Sequence, residues 1–177
     1  MPAESKVEKI PIGISSCLLG EKVRYDGGHK YNSYIVTTLG NRFEYRSFCP
    51  EMNIGLGVPR NTIRLIDVDN QTRCVGTVDS DFDVTDRLKT CATEQTPWIS
   101  TIYGYIFKKG SPSCGIEKVK IYRNEQLERN GIGIYARAIM DHFPTLPIED
   151  EDRLNDPLIR ECFIENVILY KRWREQQ

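Results

Sequence analysis

Three of the six cysteines in this 177-residue chain share a local context that points to metal chemistry. Cys17 closes the run Ile10-Pro11-Ile12-Gly13-Ile14-Ser15-Ser16, and Cys49 closes Phe43-Glu44-Tyr45-Arg46-Ser47-Phe48. Cys114 lies in the turn-rich segment Lys108-Lys109-Gly110-Ser111-Pro112-Ser113-Cys114-Gly115, just past the apolar run Ile102 to Phe107. Each thiol thus follows a β-prone segment at the point where loop-forming residues end it. Thiolates are soft ligands that suit zinc, copper(I) or iron–sulfur clusters, so softness alone does not select the metal. Structural zinc sites usually draw ligands as close pairs such as C-x-x-C, and the sequence contains no such pair. A [4Fe–4S] cluster can be held by thiolates from distant loops, and three of them leave one iron open to substrate. The competing reading is burial as small hydrophobes. It is assigned to Cys74, Cys91 and Cys162, which sit in an expected hairpin and two expected helices.

For the three thiols to meet, their strands must lie parallel, so that all the ends fall at one edge of one sheet, where open α/β folds place ligands. Expected strands are Ile10–Ser15, Phe43–Phe48, Ile102–Phe107 and Val119–Tyr122. Thr62–Val68 and Gln71–Val78 read as a hairpin around Asp69-Asn70. Expected helices run from His29 to Leu39 with Gly40 as stop, and from Asp83 as N-cap with Asp86 at the third helical position, its far end disturbed by Pro97. A further, glycine-started helix spans Gly131 to Met140. The expected architecture is an α/β, three-layer Rossmann-like domain with a mostly parallel sheet and a small β-hairpin excursion. Residues 1–9 read as a flexible tail, 10–145 as the domain, and 146–177 as an exposed connector with a C-terminal helix. Pro144, Pro147 and the run Glu149-Asp150-Glu151-Asp152 mark the connector. Asp156 caps the helix, Pro157 begins it, and Leu158, Cys162, Leu169 and Trp173 form its apolar stripe.

Composition narrows the function classes. With 40% hydrophobic and 28% charged residues the chain suits one globular domain, and a net charge of −1 argues against a large nucleic-acid face. The cysteine density is not that of a disulfide scaffold, and Met1 to Lys6 lacks the apolar core of a signal peptide, so a cytoplasmic, reducing setting is expected. No run approaches the roughly 20 apolar residues that cross a bilayer.

Polar residues near the thiols have alternative roles. Glu51, two residues after Cys49, could exchange a proton with water, or could cap the turn after Pro50. Ser111 could hold a water, or form a turn with Pro112. Arg24, Tyr25 and Asp26 could contact substrate or lock their own loop. The amides that begin the Gly131–Tyr135 segment could face an anion. His29 and His142 read as structural or surface residues, and Lys171-Arg172-Trp173-Arg174 as a solvated helix end.

Five segments closely resemble the TudS-like thiouracil desulfidase family, in order and at comparable spacings. They are Ser16-Cys17-Leu18-Leu19-Gly20, Val23-Arg24-Tyr25-Asp26-Gly27, Cys49-Pro50-Glu51, Ser111-Pro112-Ser113-Cys114-Gly115 and Gly131-Ile132-Gly133-Ile134-Tyr135-Ala136. The resemblance implies a [4Fe–4S] cluster held by Cys17, Cys49 and Cys114, a catalytic carboxylate at Glu51 and a catalytic serine at Ser111. It implies a non-redox reaction that replaces the sulfur of thiolated uracil with oxygen and releases sulfide. The substrate would be a thiolated uracil base or nucleoside, or 4-thiouridine in transfer RNA. Leu146 to Trp173 resembles the connector of longer, RudS-type relatives, whose second domain would begin where this chain stops. The rival class is a nucleic-acid-binding module with a structural metal site and no catalysis.

Overall fold

The computed structural model describes residues 7–177. Of the expected tail, residues 1–6 therefore lie outside the described residues. The central sheet has strands β1 (Ile10–Ser15), β2 (Phe43–Phe48), β5 (Tyr105–Phe107) and β8 (Ile148–Asp150) in the order β2-β1-β5-β8, and all three pairings are parallel. Alternation along the strands loads both faces. Ile12, Ile14 and Ile106 pack with Ile35, Leu39, Phe163, Ile164 and Val167 on one face, while Tyr105 and Phe107 pack with Cys91, Ala92, Ile99, Tyr135 and Ile139 on the other. Helices α1 (Ser33–Thr37) and α5 (Pro157–Glu175) supply the first face, and α3 (Thr85–Ile99) and α4 (Ile134–His142) the second. The expected α/β layering with a mostly parallel sheet is therefore present.

The hairpin β3 (Ile63–Val68) and β4 (Gln71–Gly76) forms as expected, with Asp69 and Asn70 both at positive φ, as a two-residue turn of matching twist needs. It is larger in consequence than a small excursion. β3 pairs in parallel with β6 (Val119–Arg123), and β7 (Gln126–Gly131) closes a second four-stranded sheet in the order β4-β3-β6-β7. β7 carried no sequence signal because it is an edge strand whose residues, apart from Gly131 and half-buried Glu128, are exposed and lack alternation.

Local boundaries depart from expectation for identifiable reasons. The His29–Leu39 helix shrinks to Ser33–Thr37, because Asn32 caps it by accepting the Ile35 N–H at 3.0 Å while the amides of Lys30 and Asn32 are tied to the carbonyls of Cys17 and Leu18. The chain beyond it tightens into a 3-10 turn at Leu39–Asn41 that contains Gly40. α3 starts at Thr85, one residue later than an Asp83 cap implies, although the Asp83 carboxylate does accept the Thr85 N–H at 2.9 Å. Pro97 does not end this helix. The Thr93 carbonyl that its missing N–H would leave open accepts the Thr96 hydroxyl at 2.8 Å.

The acidic run read as an exposed connector is partly inside the fold. β8 joins the sheet edge, Asp150 is 2% exposed, and its Oδ1 accepts the N–H groups of Asp152 and Arg153 at 3.0 and 2.8 Å. α5 is capped by Asp156 as expected, but its stripe is not the expected one. Leu158, Cys162, Leu169 and Trp173 are exposed, and the buried residues are Phe163, Ile164 and Val167. Gly104 explains the choice, since a Cβ there would meet Val167 at 2.8 Å and Phe163 at 3.4 Å. The basic end of α5 is also not wholly solvated, because Arg174 donates to the carbonyl of Ile102 at 2.9 Å and to that of Ser100.

Candidate active site

Parallel strands bring the three expected thiols to one sheet edge. Cys17 lies in the 3-10 turn Ser16–Leu19 directly after β1, Cys49 follows β2 and precedes the short helix α2 (Pro50–Asn53), and Cys114 sits in the loop after β5. All three line one cavity of about 240 Å³, together with Ser15, Arg24, Tyr25, Glu51, Arg60, Lys108, Ser111 and Ser113.

The loop that carries Cys114 is held by the start of α4. The amides of Gly133, Ile134 and Ala136 donate to the carbonyls of Gly115, Pro112 and Ser113 at 2.7, 3.1 and 3.0 Å. These amides are thereby consumed, which corrects the expectation that they face an anion. On its other side the loop is clamped by the acidic run after β8. Lys108 pairs with Glu151, the Lys109 amide donates to Glu151 at 2.8 Å, and Lys109 Nζ pairs with Asp152 at 2.5 Å.

Burial dominates the thiol electrostatics. It pushes the Cys17 thiol up to about 11, against the opposing pull of Lys108 and Arg24. Burial likewise raises Cys49, against the amides of Met52 and Glu51, which reach its sulfur. Cys114 goes well above the ordinary thiol range, first by burial and then by the neighbouring Cys49, with the Ser113 and Ser15 hydroxyls pulling back. Without metal the thiols are therefore protonated at neutral pH, and iron binding must displace those protons.

The donor set fits a multi-iron centre. Four-coordinate zinc would need its sulfurs within about 4 Å of one another, given a Zn–S length near 2.3 Å. Among the described residues no group of three His, Cys, Asp or Glu side chains is arranged to hold a single metal ion. The thiols instead surround a cavity, the arrangement a [4Fe–4S] core requires when separate irons each take one thiolate.

Beside the thiols runs a chain of hydrogen bonds that was not visible in the sequence. Arg60 donates from Nε and Nη2 to Glu51 Oε2 at 3.1 and 2.8 Å, and Ser113 donates to Glu51 Oε1 at 2.7 Å. The Ser111 oxygen accepts the N–H groups of Ser113 and Cys114 at 3.2 and 3.0 Å and lies 3.0 Å from the Ser113 hydroxyl. Ser111 is thus a turn former, the structural one of its two expected roles, and it also lines the cavity. Glu51 does not cap the turn through its side chain. Both of its oxygens are engaged across the cavity wall, and Arg60 supplies a countercharge no sequence signal assigned to it. Arg60 follows Pro59 in an irregular loop, and nothing local marks it. Ser113 stands next to Cys114, but the direction of its hydroxyl is a tertiary fact.

The remaining candidates separate. Arg24 and Tyr25 line the cavity, whereas Asp26 locks its own loop by accepting the Gly28 N–H at 2.9 Å. His29 Nδ1 accepts the Tyr31 N–H at 3.0 Å, and His142 Nε2 lies 3.4 Å from the Thr93 hydroxyl, so neither belongs to the thiol cavity. Cys74 and Cys91 are buried as expected, but Cys162 is exposed.

Comparison with known proteins agrees with this geometry. The family model for 2-thiouracil desulfurase matches residues 12–151, which include all three thiols, Glu51, Arg60, Ser111 and Ser113. Among curated proteins, none matches. A solved structure described as a [4Fe–4S]-dependent thiouracil desulfidase, TudS, is 31% identical with a TM-score of 0.66, over 84% of this chain and 95% of the other. The match runs through the parallel sheet and the loops that gather the cysteines, and the chain belongs to the 2-thiouracil desulfurase family.

Proposed function

We propose that this chain is a non-redox [4Fe–4S]-dependent desulfidase that replaces the sulfur of a thiolated uracil with oxygen and releases sulfide. One observation carries the reading: thiols from three separate strand ends open on one cavity together with Glu51 and Ser111. Cys17, Cys49 and Cys114 are the residues that would hold the cluster. When bound, it supplies a Lewis-acidic iron with affinity for sulfur at the corner no protein thiolate occupies.

The protein's own groups supply the proton chemistry. Glu51 Oε2 is saturated by Arg60, so proton exchange falls to Oε1, where Ser113 now donates. From there the carboxylate takes a proton from the attacking water and returns it to the ring nitrogen or the departing sulfur. The Ser111 oxygen accepts two amides, and because Ser113 donates its one hydrogen to Glu51, the Ser111 hydroxyl donates to the Ser113 oxygen 3.0 Å away; it can turn to water or substrate only when Ser113 gives up that contact. Lys108 and Arg24, whose charges act on Cys17, offset the negative charge that thiolates bring to the cavity. Water contributes the oxygen and sulfide leaves, so no electrons are transferred overall.

The proposal extends to the nucleoside and to 4-thiouridine in transfer RNA. Support comes from the cavity rim, where Arg24 and Lys30 have no carboxylate partner among the described residues and Tyr25, with the Arg24 guanidinium 5.8 Å from its ring centroid, is 41% exposed. A cytoplasmic, reducing setting is supported by six unpaired cysteines. Among the described residues no helix is long and apolar enough to cross a membrane.

Anaerobic reconstitution with iron and sulfide, followed by incubation with 2-thiouracil and 4-thiouracil, tests the reading. The expected result is a brown protein that yields uracil and sulfide in equal amounts. A colourless, inert protein that still binds nucleic acid would establish the rival reading as a binding module.

A further inference from the structure

We infer that Arg60 is a positioning residue for this reaction: by gripping one oxygen of Glu51 it fixes where the other meets water and substrate. The inference rests on the role proposed for Glu51. Arg60 is nearly as enclosed as a core residue, with its side chain 8% exposed and that of Glu51 14% exposed. All three guanidinium nitrogens are engaged. Nε and Nη2 hold Glu51 Oε2, Nη2 also donates to the Val23 carbonyl at 2.9 Å, and Nη1 donates to the Gly57 carbonyl at 2.7 Å. The Arg60 amide donates to the Tyr25 carbonyl at 2.9 Å. One residue therefore ties α2, the Val23–Tyr25 rim and the Gly57 loop to a single carboxylate.

The neighbouring void adds a second reason. Arg60 and Thr62 line both the thiol cavity and an adjacent cavity of about 440 Å³ bordered by Val78, Phe82 and Arg87. Arg60 is thus part of the wall that the two share. Shortening this side chain would free the Glu51 carboxylate and admit water behind it. A lysine could restore the charge but not the planar fork that holds three acceptors at once.

A purely structural tie would predict a different outcome. If Arg60 only stiffened its loops, its loss would lower thermal stability or weaken substrate binding and leave turnover per cluster unchanged. The positioning role predicts the reverse split, because misplacing a reacting group by about 1 Å costs on the order of 100-fold in rate.

The test uses Arg60→Ala, Arg60→Lys, Glu51→Ala and the Arg60→Ala/Glu51→Ala double variant. Each is reconstituted anaerobically, with kcat and KM for 4-thiouracil normalised to iron content and the apoprotein melting temperature recorded in parallel. Arg60→Ala should load iron like the wild type and lose about 100-fold in kcat with little change in KM. Arg60→Lys should recover only part of the loss, and millimolar guanidinium should raise the rate of Arg60→Ala but not that of Glu51→Ala. The double variant should be no slower than Glu51→Ala, since both changes act through one carboxylate. Wild-type kcat per cluster in Arg60→Ala and Arg60→Lys, or losses that multiply in the double variant, overturn the inference. If Glu51→Ala itself turns over normally, the proposed role of Glu51 falls first; if only the arginine variants do, the role of Arg60 alone falls.

Discussion

Replacing Gly133 with alanine isolates the contact that sets the Cys114 loop. The backbone there, at φ −57° and ψ 142°, is open to any residue, so alanine carries no conformational penalty and the whole effect is steric. A Cβ on Gly133 would lie 2.5 Å from the Ser113 carbonyl carbon, 2.6 Å from its oxygen and 2.7 Å from the Cys114 nitrogen. Ordinary contacts of this kind are about 3.5 Å or longer, so the helix and the loop must separate by roughly 1 Å. They cannot do so freely, because the amides of Gly133, Ile134 and Ala136 bind the loop carbonyls at 2.7–3.1 Å. Overpacking of about 1–3 kcal/mol together with about 1 kcal/mol for a weakened hydrogen bond gives a loss of about 2–4 kcal/mol. For a domain of this size that corresponds to a fall in melting temperature of about 5–15 °C. The displaced Ser113 and Cys114 should also lower iron loading. Differential scanning calorimetry of the apoprotein and iron content after reconstitution measure both effects. Gly55→Ala is the control: at φ +86° with nothing within 4 Å, it should cost about 1–2 kcal/mol through backbone strain alone and leave iron loading intact. Wild-type melting and full iron content in Gly133→Ala would refute the steric argument.

Further outcomes follow from the same geometry. Alanine at Cys17, Cys49 or Cys114 should abolish stable iron binding, whereas alanine at Cys74, Cys91 or Cys162 should leave it intact, as iron and acid-labile sulfide assays would show. Glu51→Gln should keep the cluster and lose about 10²–10⁴-fold in turnover, the usual contribution of a positioned proton-transfer group. Asp150 lies buried, and burial raises its carboxyl above the ordinary 3.8, although the amides of Arg153 and Asp152 pull the other way. Its ionised form therefore costs stability above the folded-state value, and that cost recedes as pH falls toward 3.8. Asp150→Asn keeps the oxygen that accepts the two amides, so it should be at least as stable as wild type at pH 7. Its advantage should shrink toward pH 4 in urea unfolding. Asp150→Ala should instead lose about 1 kcal/mol or more at every pH, because two part-buried N–H groups lose their acceptor.

Charge and strand-end chemistry are local properties, and the residues they mark were readable before any fold was known. The thiol triad was visible because each member stands where an apolar run gives way to proline, glycine or serine. Asp69-Asn70 announced its hairpin through residues that tolerate positive φ, and Asp156-Pro157 announced a helix start through capping chemistry. Which stripe of α5 faces the core was a different matter. Its sequence offers two apolar rows, and the choice between them rests on the space left by Gly104 on a distant segment. β8 and the acidic run after it looked like linker because their acidic side chains are satisfied by Lys108, Lys109, Arg153 and local amides that lie beyond the reach of pattern reading.

The amino-acid order alone thus determined which side chains could ligate metal and which elements would carry them, since softness, capping and periodicity depend on a residue and its near neighbours. The folded chain decided that Glu51 meets Arg60 and Ser113, and that the α4 amides hold the Cys114 loop instead of a ligand. Such pairings depend on the direction of side chains from segments dozens of residues apart, and parallel strand packing is what brings them within hydrogen-bond distance.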